Sequence, residues 1–233
     1  MVQEVKKTSL GTTWNEETYE NDYHKLKSPW SKHWKVQYMN VTGLVKPESS
    51  DVILDIGCGT GKYEAKYSKI VKKIVGLELD NNIIKWANKY ASEEGRIGHF
   101  SFVKIDDIKI SKRFKANTFT KVMMIDLVEH ISDAVILEYL KEFKKIMKKD
   151  GKLIIYTPNK YHLSEMLRKD AGHVNLFTLT RLKNLVKKAG FSVEKAYYRP
   201  SHVRILNFFE SVIPITLMKR RLCIVAKLQA NLQ

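Results

Sequence analysis

Three glycines set one residue apart behind an acid, in Asp55-Ile56-Gly57-Cys58-Gly59-Thr60-Gly61, are the residues whose types and spacing bear most directly on chemistry. They follow the apolar, largely β-branched run Val52-Ile53-Leu54 and precede Lys62-Tyr63-Glu64-Ala65, which reads as a helix opening. A strand, a tight turn and a helix start together hold a nucleotide-like ligand against a strand's carboxyl end. Glycine serves there because it turns with φ > 0 and lets backbone approach a ligand with no Cβ in the way. The spacing excludes the dinucleotide fingerprint G-x-G-x-x-G, whose third glycine would fall where Lys62 stands. A second run, Lys73-Ile74-Val75-Gly76-Leu77, ends in Glu78 and Leu79. An acid roughly 20 residues past such glycines is where a nucleotide-binding βαβ unit accepts hydrogen bonds from ribose hydroxyls. One carboxylate can take both donors of the diol.

More acids close later runs. Phe102-Val103-Lys104-Ile105 leads into Asp106-Asp107-Ile108, and Phe119 to Ile125 leads into Asp126, with Glu129-His130 just beyond. Leu153-Ile154-Ile155-Tyr156 ends in Thr157-Pro158-Asn159, and His173-Val174-Asn175-Leu176-Phe177-Thr178 precedes a helix closed by Ala189-Gly190-Phe191. The G-x-G-x-G turn with its acid two residues ahead resembles the first motif of the class I S-adenosylmethionine-dependent methyltransferases. The Glu-His pair, the Thr-Pro-Asn end and the His173 segment resemble a subgroup that includes small-molecule O- and C-methyltransferases of quinone biosynthesis. The resemblance runs, in order, over about residues 50 to 195.

That resemblance implies S-adenosylmethionine as cofactor and methyl transfer as reaction. Asp55, Gly57, Cys58, Gly59 and Gly61 would serve the methionine end, Glu78 and Leu79 the ribose, and Asp106, Asp107 and Ile108 the adenine. Asp126 faces the same crevice, toward the amino-acid end or the acceptor. His130 is the candidate general base, since an unperturbed imidazole titrates near neutral pH, and His173 is the next candidate. Each piece also has a plainer reading. Strands often end in acids that begin turns. Glu129-His130 fits a helix cap beside a buried, satisfied histidine as well as it fits catalysis, and the apolar neighbours of His173 suit burial.

The acceptor is expected to be a small molecule, taking the methyl on O, N or C. Asp126-Leu127-Val128-Glu129 is not the Pro-Pro-aromatic motif of enzymes that methylate exocyclic amino groups of bases. No cysteine follows the fourth or fifth strand, which disfavours attack on pyrimidine C5. Two other readings stay open: a tRNA or rRNA methyltransferase using a basic surface, and a non-catalytic cofactor-binding or scaffold protein. Lys+Arg of 41 against Asp+Glu of 25 gives +16 and invites a polyanion. Yet many lysines lie on helices with apolar residues at helical spacing, as from Tyr139 to Lys149, and so form solvated outer faces.

A chain of 233 residues with 44% hydrophobic content fits one α/β unit with additions. No apolar run reaches a membrane span and the start is polar, so a cytoplasmic location is the expectation. Cys58 and Cys223 form no disulfide framework, and no metal-ligand set is expected. The oligomeric state is not legible.

The elements that must position these residues are a Rossmann-like α/β sheet of seven strands, mostly parallel, the last antiparallel, with helices on both faces. Strands are expected near 51–56, 73–79, 100–105, 120–125, 152–157, 191–198 and 222–227, the last inserted beside the fifth. Helices are expected near 61–69, 81–93, 133–149 and 178–189. Residues 1–13 read as a loose start. Residues 1–45 form a helical extension or lid, broken near Ser28-Pro29, ahead of a methyltransferase domain over 46–233. Its aromatics Tyr19, Tyr23, Trp30 and Trp34, with Tyr161, His162 and Met166 of a 159–177 insertion, are expected to face the acceptor.

Overall fold

The computed structural model describes residues 5–8, 11–14, 16–27, 32–168, 172–199 and 219–228. A short hairpin comes first, β1 (Val5–Thr8) with β2 (Gly11–Trp14), then α1 (Glu16–Lys27) and α2 (Lys32–Val45). The alternating part follows: β3 (Val52–Ile56), α3 (Lys62–Tyr67), β4 (Lys73–Glu78), α4 (Asn81–Glu94), β5 (Phe100–Lys104), β6 (Phe119–Ile125) and α5 (Asp133–Ile146). The remaining elements are β7 (Met147–Pro158), α6 (Leu163–Arg168), α7 (Leu179–Lys188), β8 (Phe191–Arg199) and β9 (Arg221–Leu228).

The large sheet has seven strands in the order β5-β4-β3-β6-β7-β9-β8. All neighbours are parallel until β9, which runs antiparallel to both β7 and β8. The expected insertion of the last strand beside the fifth is therefore what the sheet shows. Central strands are sealed on both faces, as a sheet with helices on each side requires: Ile53, Leu54, Met123, Met124, Ile154 and Ile155 are fully buried. On one face α5 and α7 supply Ile136, Leu140, Phe143, Leu182 and Val186. On the other, α2 and α3 supply Val41, Leu44, Tyr63 and Tyr67.

From β3 the chain winds outward through β4 to β5, then returns to place β6 on the other side of β3. This reversal opens a crevice at the carboxyl ends of β3 and β6, where such sheets take their ligands.

Two local expectations are corrected. The start is a paired hairpin, from Val5↔Trp14 to Thr8↔Gly11, because Val5, Thr8, Thr12 and Thr13 are β-branched and Gly11 can open the return strand. The helix expected over 133–149 ends at Ile146, before the Asp150-Gly151 stop signal. Met147 takes extended backbone instead, pairing with Phe119 while its side chain is buried. A tertiary contact overrides the local helix pattern there.

Candidate active site

The glycine turn is held by its neighbouring strand. Gly57 and Cys58 both donate their N–H to the Leu77 carbonyl, at 2.8 and 3.1 Å. Gly59 then donates to Glu78 Oε2 at 3.1 Å, and Leu79 N–H donates to Glu78 Oε1 at 2.7 Å. The acid separated in sequence from the turn thus lies directly against it. Gly59 and Gly61 have φ of 53° and 70°. A Cβ on Gly59 would meet nothing nearer than Tyr19 Cε1 at 3.6 Å, so the space beside it is open.

Beneath the turn lie buried acids. Asp55 is 1% exposed, its Oδ1 has no hydrogen-bond partner, and burial pushes its carboxyl up to about 8, with Glu78 adding and Lys62 opposing. Glu64 is fully buried with neither oxygen hydrogen-bonded, and burial raises it well above the usual carboxylate range, helped by Asp55. Gly76 makes room for this cluster, since a Cβ there would come within 2.7 Å of both Cys58 Sγ and Glu64 Oε1. Glu64 went unnoticed in sequence because it reads only as the first turn of α3.

A cavity of about 320 Å³ opens from the turn. Asp55, Gly57, Cys58 and Gly59 line it together with Asp126, Glu129, His130 and His173. Asp126 has φ of 50°, a strained value for a non-glycine residue and common at functional sites. Its carboxylate accepts from Arg221 Nη1 at 2.7 Å and from Gln37 Nε2. Gln37 comes from α2, within the segment expected to face the acceptor, and Arg221 from β9, which sequence reading did not connect with the site.

Glu129 is 1% exposed; its Oε2 accepts from the Thr157 hydroxyl at 2.8 Å and its Oε1 has no hydrogen-bond partner. Burial, with Asp126 adding, pushes its carboxyl up to about 8. His130 Nδ1 lies 2.8 Å from the Gly172 carbonyl, which can only accept, so that nitrogen carries the proton. His173 Nδ1 lies 2.8 Å from Glu165 Oε2. Burial works against the Glu165 carboxylate, but this hydrogen bond together with the charges of His173, Arg221 and His162 outweighs it and holds the group below its usual range. The two rings stand 5.1 Å apart. Glu165 belongs to α6 and carried no signal in sequence.

The other expected residues sit elsewhere. Asp106 is exposed and pairs with Lys104 at 2.7 Å, whose hydrogen bond holds its carboxyl low. Asp107 accepts from the Lys109 N–H and Ile108 packs on the core, both beyond the end of β5 and outside this cavity. Of the N-terminal aromatics, Tyr19 lines the cavity. Tyr23 is buried against Trp86 and Tyr90 of α4, and Trp34 packs on Tyr38 and Tyr63. Tyr23 is core because α1 packs on α4, and half-buried Trp34 packs against the core beside α3. Trp30, with Ser28-Pro29, lies outside the described residues. Tyr161 and Met166 are exposed, whereas His162 is half-buried.

A parallel sheet with this strand order, a glycine turn at its reversal point and an acid against that turn define the Rossmann-like methyltransferase fold. A methyltransferase from Archaeoglobus fulgidus, described as S-adenosylmethionine-dependent, superposes with a TM-score of 0.67 over 91% of this chain and 98% of its own, at 20% identity. The methyltransferase-domain family matches residues 38–196, and the chain belongs to it. Among curated relatives, ubiquinone biosynthesis O-methyltransferase of Pelagibacter ubique is 24% identical over 60% of this chain and 55% of its own length. Ribosomal RNA small subunit methyltransferase A of Wigglesworthia glossinidia brevipalpis is 24% identical over 52% of this chain and 49% of its own length. The chain thus spans about half the length of these relatives.

Proposed function

We propose that this chain transfers a methyl group from S-adenosylmethionine to an oxygen, nitrogen or carbon atom of a small molecule. The observation that carries the reading is one cavity lined both by the glycine turn and by Asp126, Glu129 and the two histidines. The residues suit the cofactor: Asp55 keeps a buried carboxylate oxygen without a hydrogen-bond partner under the turn, and the open space at Gly59 admits a ligand that a side chain would fill. When bound, the cofactor supplies an electrophilic methyl on a sulfonium.

Asp55, with Gly57, Cys58 and Gly59, would hold its methionine end, and Gly61 would serve it indirectly, by letting the turn pack against Phe102 and Ala87. Glu78, already fixed by two backbone N–H groups, would take the ribose hydroxyls with Leu79 beside it. Asp106, Asp107 and Ile108, just past the end of β5, would close over the adenine. Asp126, which lines the same cavity, would orient either the cofactor's amino group or the acceptor. The chain's contribution is mainly positioning and exclusion of water. Residues 1–45 would serve as a lid through Tyr19 and Gln37, which reach the cavity from α1 and α2.

The net charge of +16 and the ribosomal RNA relative favour a second reading, methylation of RNA. Against it, lysines such as Lys141, Lys144 and Lys145 occupy the exposed face of α5, whose other face is buried. No helix among the described residues is long and apolar enough to cross a membrane. Calorimetric titration with S-adenosylmethionine tests the core of the proposal: micromolar binding is expected, lost in Glu78→Ala and Gly59→Val. No binding by the wild type would refute it and favour a scaffold. Transfer of labelled methyl to phenols or quinone precursors, rather than to RNA, then separates the two readings.

A further inference from the structure

We propose that Glu129, His130 and His173 form a binding site for a divalent transition-metal ion at the acceptor end of the cavity. One ligand atom from each lies within 4.8 Å of the others. Two imidazoles and one carboxylate make a three-ligand set that leaves further positions open, the arrangement of many catalytic zinc and non-haem iron sites. Such a donor set selects zinc, manganese, iron(II) or cobalt over magnesium and calcium, which take oxygen ligands.

The surroundings are those of a ligand set already oriented. His130 donates Nδ1–H to the Gly172 carbonyl, and His173 Nδ1 pairs with Glu165 Oε2, each at 2.8 Å. With Nδ1 engaged, Nε2 is the coordinating nitrogen in each ring. The Thr157 hydroxyl holds Glu129 Oε2, while the buried Oε1 has no hydrogen bond. These outer partners orient metal-binding histidines and carboxylates. A cap and two satisfied histidines would account for the rings, but not for a buried carboxylate oxygen left unmatched beside them. An ion about 2.0–2.2 Å from each donor sets the donors about 3–3.5 Å apart, so the donors need close by no more than about 1.8 Å on binding. Because all three line the cavity, the open positions face the space proposed for the acceptor and suit its oxygen atoms. The rings read from sequence as a base and its alternate then serve as ligands. The ion's role toward the acceptor rests on the methyl-transfer reading; its binding does not.

The test uses untagged, chelator-stripped protein titrated with Co²⁺ and Mn²⁺, following visible absorption for Co²⁺ and heat for both. One ion per chain is expected, with micromolar or tighter affinity. Glu129→Gln and His173→Ala should weaken it at least 100-fold, and Glu165→Gln about 10- to 100-fold by releasing the His173 ring. Circular dichroism and urea unfolding of each variant report folding, and Glu165→Gln, which perturbs a half-buried residue, decides if a ligand variant does not fold. Absence of stoichiometric binding, or equal affinity in wild type and variants, overturns the proposal. Metal binding without cofactor binding would leave the site standing and remove the methyl-transfer reading.

Discussion

Gly59 and Gly61 share a left-handed backbone and one turn, yet alanine at the two positions should fail for different reasons. At Gly61 the added Cβ would lie 2.7 Å from Phe102 Cζ and 3.1 Å from both the Ala87 Cβ and its carbonyl oxygen. Left-handed backbone costs an L-residue about 1–2 kcal/mol, and overpacking a tight site costs about 1–3 kcal/mol more. Gly61→Ala should therefore lose about 2–5 kcal/mol of folding stability. At Gly59 the nearest atom is Tyr19 Cε1 at 3.6 Å, so the backbone cost of about 1–2 kcal/mol stands alone. The new methyl instead occupies the open space beside the turn. Gly59→Ala should stay folded and weaken S-adenosylmethionine at least tenfold, or about 1.4 kcal/mol. Urea unfolding supplies the stabilities and calorimetry the affinities. Equal stability losses in the two variants, or wild-type affinity in Gly59→Ala, would refute the assignment of one glycine to packing and the other to the ligand.

The buried acids predict a pH dependence of the unliganded protein. Asp55 is raised to about 8 in the folded state from an ordinary 3.8, so the folded chain holds a proton that the unfolded chain releases. Its favourable contribution is complete below about pH 4 and lost as pH rises toward 8, at up to about 1.4 kcal/mol per pH unit for one proton. Asp55→Asn should flatten that slope in urea unfolding at pH 5 to 8; an unchanged slope would remove Asp55 as its source. Tyr23 tests whether the N-terminal aromatics are core. Tyr23→Ala should cost about 3–5 kcal/mol, as for other large buried rings, while Tyr23→Phe, which loses only the hydrogen bonds to Glu93, should cost about 1 kcal/mol. Cofactor affinity should survive both, and a specific loss of acceptor turnover without destabilisation would return Tyr23 to the lid.

Much of the fold was legible in sequence because parallel strands buried on both faces must be written as continuous apolar runs. Val52 to Ile56, Lys73 to Leu77 and Leu153 to Tyr156 each announce a strand, and the acids and glycines after them announce the reversal crevice. The glycine turn and Glu78 were readable for the same reason, since both sit at strand ends that local pattern locates. Tertiary structure decided what periodicity cannot see. A helical aromatic stripe looks the same whether it faces a partner helix or a ligand, and only the docking of α1 on α4 turns Tyr23 into core. The helix pattern through Lys149 could not foretell that Met147 pairs with Phe119. Glu129, His130 and His173 carry no metal-like spacing, and neither Glu165 nor Arg221 signals a site. They converge because the turn after β6, the insertion around α6 and the first residue of β9 all arrive at one end of the sheet. Side chains far apart in the chain become one cluster through strand order, and strand order is a property of the assembled sheet.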